Sequence, residues 1–111
     1  MSWNLISNSA DWSEFMNASE QNPQVIFKHS TRCSISSMVL SRFEQSSLFK
    51  QNRLTCWYLD LIQHRDISNM VAEQTGVAHQ SPQCIVIHKG NVIYAESHGA
   101  IDANTIELMS F

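Results

Sequence analysis

The chain is poor in positive charge: seven lysines and arginines are scattered through 111 residues, against ten acidic residues, for a formal net charge of -3. A nucleic-acid binder needs a basic stripe to neutralise phosphates, and none is present. No apolar run approaches the ~20 residues that cross a bilayer. The first residues, Met1-Ser2-Trp3-Asn4-Leu5-Ile6, lack the basic start and apolar stretch of a signal peptide, so a cytoplasmic protein is expected. Cysteine is scarce and odd in number. Cys33, Cys56 and Cys84 are widely spaced, which argues against a disulfide-stapled secreted domain and for reduced thiols. His29, His79, His88 and His98 show no H-x-x-x-H spacing and no C-x-x-C pair accompanies them, so no metal site and no bound cofactor is expected.

What remains is a chain with 43% hydrophobic residues, enough for one core and of a length for one domain, 1–111. Its punctuation is regular. Trp3–Ile6 reads as a short edge strand. Ser9 is placed to cap a helix carrying Trp12, Phe15 and Met16 at helical spacing, ending before Asn22-Pro23. Gln24–Lys28 is a strand, and Ser34 to about Gln45 a helix with Ile35, Met38, Val39 and Phe43 in period. Leu54–Leu59 is a nearly continuous apolar run, suited to a central strand covered on both faces. Asp66 is placed to cap a helix with Ile67, Met70 and Val71 inward, and Gly76 to end it. Cys84–His88 and Val92–Ala95 flank Lys89-Gly90-Asn91 as a hairpin. Asp102 starts a last helix holding Ile106, Leu108 and Met109. The order (β)αβαβαββα predicts parallel pairing in the first half, an antiparallel hairpin in the second, and an α/β thioredoxin-like fold: a mixed four- or five-stranded sheet flanked by helices.

Within that order, Phe27-Lys28-His29-Ser30-Thr31-Arg32-Cys33-Ser34-Ile35-Ser36 puts Cys33 on the turn between a strand and a helix start. Helix N-termini offer free N–H groups and partial positive charge, which favour a thiolate, the nucleophilic form. The motif is C-x-x-S, with Ser36 where a dithiol enzyme has its second cysteine. Ser36 is placed either to hydrogen-bond the Cys33 sulfur or to cap the helix start. Lys28, His29 and Arg32 read as a small basic cluster able to support the thiolate and attract an anionic thiol. Ser81-Pro82 precedes the strand Cys84–His88. In thioredoxin-like folds the proline at that place is cis and its loop lies against the reactive cysteine, so a cis-Pro loop is expected before the third main strand. Cys56 reads as a core thiol. Cys84, two residues after Pro82, is either a core residue or a resolving thiol.

These segments resemble the monothiol bacilliredoxins, the YtxJ-like family of the thioredoxin superfamily. Lys28–Ser36 is similar to that family's Lys-His-Ser, two further residues, then Cys-Pro-Ile-Ser. His79-Gln80-Ser81-Pro82-Gln83 is similar to its His-Glu-Ser-Pro-Gln, and Ser97-His98-Gly99-Ala100-Ile101 to its Ser-His-x-x-Ile. Two departures are Ser34, where proline is usual, and Arg32, where threonine is typical. The resemblance implies a thiol-disulfide oxidoreductase that reduces mixed disulfides between bacillithiol and client proteins. Cys33 would be the nucleophile, with bacillithiol as thiol co-substrate and bacillithiolated proteins and a low-molecular-weight thiol as partners. Nucleic acid and membrane are not expected partners. The competing readings are a non-catalytic thioredoxin-fold binding module and a monothiol glutaredoxin-like iron–sulfur carrier, though Ser34-Ile35 does not match the glycine-phenylalanine of the latter.

Overall fold

A computed structural model describes residues 2–109. Its centre is a five-stranded sheet in the order β1-β3-β2-β4-β5, built from β1 (Asn4–Leu5), β2 (Gln24–His29), β3 (Thr55–Asp60), β4 (Gln83–His88) and β5 (Asn91–Ser97). β2 and β1 both run parallel to β3, while β4 is antiparallel to β2 and to β5. The helices are α1 (Ser9–Ser19), α2 (Ser34–Glu44), α3 (Ser47–Lys50), α4 (Arg65–Thr75) and α5 (Ala103–Glu107), with a 3-10 turn at His98–Ala100. Among the described residues no helix is long and apolar enough to cross a membrane.

Successive strand side chains point to opposite faces, and this alternation sorts the core into two layers. Val25, Phe27, Cys56, Cys84 and Val86 pack with Val39, Phe43, Leu48 and Ile106, so this face lies under α2, α3 and α5. Ile26, Trp57, Leu59, Ile85 and Ile87 pack with Trp12, Phe15, Ile67 and Val71, so the other lies under α1 and α4. Every residue of β2 is buried, as befits a central strand flanked on both edges and covered on both faces.

Several local expectations are corrected. Asn8, not Ser9, is the α1 N-cap: its side chain accepts the Asp11 N–H at 2.8 Å, and Asp11 returns a bond to the Ser7 N–H at 2.8 Å. His64 occupies the α4 N-cap position, with Asp66 in the first turn. There its charge still faces the positive end of the helix dipole. α3 was not expected. It is one turn, capped by Ser46, and it buries Leu48 and Phe49 against the α2 face. α5 ends at Glu107, leaving Leu108 and Met109 outside the expected helix, with Leu108 86% exposed. Gly76 does end α4, at φ 74° with its N–H bonded to Ala72 O. The two-residue hairpin loop Lys89-Gly90 takes positive φ at both positions, the backbone that matches the twist of the flanking strands.

Candidate functional site

Cys33 is the N-cap of α2, with extended backbone (φ -112°, ψ 118°). Its own N–H donates to Ser30 O at 3.2 Å and its carbonyl accepts from Ser37 N–H at 3.0 Å, so the turn and the first helical turn hold it from both sides. It is partly exposed, whereas Cys56 and Cys84 are buried, and all three are free thiols. The Cys33 side chain makes no capping hydrogen bond.

A buried polar pair lies at the start of α2. Ser36 is fully buried, and its Oγ sits 2.8 Å from His29 Nδ1 while accepting the Ser30 N–H at 3.2 Å. The hydroxyl therefore ties the first turn of α2 to the end of β2. Burial lowers the His29 pKa, against an opposing pull from Asp60 and Glu44. Its nearest aromatic neighbour is Tyr58, ring centroids 5.7 Å apart.

The register Lys28↔Gln83 between β2 and β4 brings the end of β2, and hence Cys33, to the same end of the sheet as Ser81-Pro82. The Ser81-Pro82 peptide bond is cis. Pro82 O accepts the His98 N–H at 3.0 Å, and Arg42 of α2 donates to Gly99 O and Ile101 O. The 98–101 turn thus joins the proline loop to the helix that carries the cysteine.

The expected basic cluster is not formed. Lys28 and His29 are consecutive in a strand and so point to opposite faces. Lys28 is 0% exposed, and its Nζ donates to Ser68 O under α4 at 3.2 Å, while His29 lies toward α2. Desolvation lowers the Lys28 pKa to about 8. Arg32 is exposed beside Cys33. Behind the proline loop, Ser68 Oγ lies 3.1 Å from His79 Nδ1, and Gln83 Nε2 donates to Ala78 O at 2.9 Å. Cys84 is buried against the α2-side core, where burial, and secondarily Cys56, raises its pKa. Sequence reasoning missed the surroundings of His29: Asp60 lies opposite it in the β2–β3 register, with Tyr58 two residues before. The polar alternation Tyr58, Asp60 at the end of an otherwise apolar strand was the available signal.

A sheet with this topology and a cysteine capping the helix after its central strand define a thioredoxin-fold protein with a thiol redox role. Solved structures agree. One described as a candidate oxidoreductase with a thioredoxin fold superposes with a TM-score of 0.81 at 25% identity, covering 93% of this chain and 88% of that one. Malassezia sympodialis thioredoxin (Mala s 13) matches with TM-score 0.72 at 17% identity, over 96% and 85% of the two chains. Fasciola hepatica thioredoxin matches with TM-score 0.70 at 13% identity, over 94% and 92%. The profile of the monothiol bacilliredoxin BrxC family matches residues 4–106. The chain belongs to that family.

Proposed function

We propose that this protein reduces mixed disulfides between bacillithiol and client proteins, using Cys33 alone. The observation that carries this reading is the division of the three thiols: one partly exposed at a helix start, two sealed in the core, with Ser36 in place of a second active-site cysteine. In the proposed cycle the Cys33 thiolate attacks the bacillithiol sulfur of the mixed disulfide. The old S–S bond breaks, and its electron pair leaves on the client sulfur as a thiolate, which takes a proton from water. The cap now sits on Cys33 as a new disulfide. A second low-molecular-weight thiolate attacks the cap sulfur, forming a small-molecule disulfide and returning Cys33 as thiolate. No electrons enter from elsewhere until that small disulfide is reduced.

The proline loop supports the substrate side of this reading. The loop joins β4, and an extended client segment beside it would pair with backbone in the manner of an added strand. Arg32 offers a positive charge beside the sulfur for the carboxylates of bacillithiol. Cys84 is a core residue in this reading, not a resolving thiol. The cytoplasm, where thiols stay reduced, suits the three free cysteines.

The test is single turnover on a bacillithiolated model protein, read by mass spectrometry. Wild type should carry the cap on Cys33. Cys33→Ala should leave the client capped, and Cys56→Ala should transfer normally. Release of free bacillithiol without added thiol, together with an internal Cys33–Cys84 disulfide, would overturn the monothiol cycle. No transfer by wild type would overturn the substrate assignment.

A further inference from the structure

We infer that His79 is a positioning residue: its neutral ring ties the proline loop to α4, and protonation of the ring releases the loop and weakens capture of a client segment. The capture half rests on the proposed cycle. The loop needs such a tie. Residues 77–80 belong to no helix or strand, so neither helical nor ladder bonding holds them. Ser81 Oγ, beside the cis bond, is buried with no hydrogen-bond partner. Val77 N–H donates to Thr75 Oγ1 at the end of α4 at 3.2 Å, and Gln83 Nε2 donates to Ala78 O at 2.9 Å. Two residues before Ser81, the His79 ring reaches α4, with Nδ1 3.1 Å from Ser68 Oγ and Nε2 3.5 Å from Arg65 Nη1. Ser68 is itself held in place: it is fully buried, and Lys28 Nζ donates to its carbonyl at 3.2 Å.

Arg65 decides the tautomer. A guanidinium donates and never accepts. The ring nitrogen facing it, Nε2, is therefore the acceptor, and the hydrogen sits on Nδ1, which donates to Ser68 Oγ. The neutral ring thus accepts from one α4 residue and donates to another three positions on, its neighbour on the helix surface. A protonated ring carries N–H on both nitrogens. Nε2–H then meets the Arg65 N–H groups, donor against donor and positive charge against positive charge. The charged groups facing the ring are Lys28 from β2 and Arg65 from α4; after burial, these two disfavour the imidazolium in that order. Acid strong enough to protonate the ring therefore removes the Arg65 contact and pushes His79 away from α4. The displacement is passed to Ser81-Pro82, the part of the loop beside which an extended client segment would pair.

The test has two arms. The first needs no substrate, so it stands apart from the proposed cycle: isotope-labelled protein is titrated from pH 7.5 to 4.5 and followed by NMR. At pH 7.5 the His79 ring should carry its hydrogen on Nδ1, and the amide signals of Gln80 and Ser81 should move with the same midpoint as the ring. In His79→Asn, whose amide N–H takes the place of Nδ1–H and does not titrate, that movement should vanish. The second arm follows single-turnover transfer from the bacillithiolated model protein as its concentration is varied. In wild type the half-saturating concentration should rise about fivefold from pH 7.5 to 4.5, the worth of one ordinary hydrogen bond. His79→Phe should start at that higher value and rise no further, and His79→Asn should stay within about twofold of wild type at pH 7.5 throughout. The maximal rate should change with pH alike in all three. A merely structural role would not produce rescue by asparagine together with loss of the pH dependence. The inference is overturned if the hydrogen is on Nε2 at pH 7.5, if the loop amides do not follow the ring, if His79→Asn binds as weakly as His79→Phe, or if wild type half-saturates alike at both pH values. No transfer by wild type would overturn the capture half along with the proposed cycle, and the NMR arm would still decide the tie to α4. Should His79→Phe not fold, wild type against His79→Asn carries the second arm: only wild type should weaken in acid.

Discussion

Replacing Lys28 with methionine should make the protein more stable, although it deletes a hydrogen bond and a charge from the centre of the sheet. Lys28 is 0% exposed on β2, and Nζ donates to a backbone carbonyl, Ser68 O. Desolvation brings its pKa from the ordinary 10.5 to about 8. At about 1.4 kcal/mol per pKa unit, that fall sets an upper bound of about 3 kcal/mol on the cost of keeping the amine charged in the fold. Methionine has a similar stem and fits irregular core space. Losing the bond to Ser68 takes back about 1 kcal/mol, so Lys28→Met should gain up to about 2 kcal/mol at pH 7, which at a urea m-value of about 2 kcal/mol/M moves the midpoint up by as much as about 1 M. The pH dependence gives the sharper check. Below about pH 8 both folded and unfolded chains hold the proton and wild type bears the whole penalty. Between about 8 and 10.5 the unfolded chain binds more protons at this site than the folded one, so wild-type stability rises with pH there. The advantage of Lys28→Met should therefore shrink between pH 7 and pH 9.5, while titration of the thiols and tyrosines, common to both proteins, cancels in the difference. Urea unfolding of both proteins at the two pH values is the assay. A variant less stable than wild type at pH 7, or an advantage that is the same at both values, would refute the reasoning.

Three further outcomes are expected. Burial pushes the Cys56 thiol up to about 12 from an ordinary 9.0, so its thiolate population at pH 7.5 is about 10³-fold below that of the unfolded chain; pulse alkylation with peptide mapping should label Cys33 first, and equal labelling of Cys33 and Cys56 in the folded protein would contradict it. His29 and His79 both have pKa values lowered, burial being the largest cause in each. The unfolded chain therefore takes up protons first on acidification, and stability should fall from pH 7.5 to 5.5, less steeply in His29→Asn, as denaturant midpoints would show. Gly76→Ala should cost about 1 kcal/mol, because φ 74° is disfavoured for any side chain even though a Cβ there meets nothing within 4 Å; an unchanged thermal midpoint would show that the α4 terminus relaxes instead.

The order of elements and the position of Cys33 at a helix start were legible without coordinates because both depend on local signals. The apolar run of β2, the helical period after Cys33, and Gly76 and Lys89-Gly90 at turns each report a backbone preference acting over a few residues. Cap positions slipped by one or two residues at Asn8 and His64, since neighbouring polar side chains compete for the same free N–H groups. The membership of α3 and the exposure of Leu108 also escaped, because one-turn segments take their structure from what they pack against.

The sequence by itself determined that one thiol of three sits where a nucleophile belongs, followed by serine instead of a second cysteine. Only the tertiary structure decided what surrounds it. Lys28 and His29 are adjacent in sequence and read as one basic patch, yet a strand sends their side chains to opposite faces, one under α4 and the other under α2. His29 and Ser36 are seven residues apart, and a turn and a helix start bring them within 2.8 Å. Cys84 lies two residues from Pro82 but is buried in the α2-side core. Each of these depends on which face of an element meets which neighbour. Packing of the whole chain settles that, and no short stretch of residues encodes it.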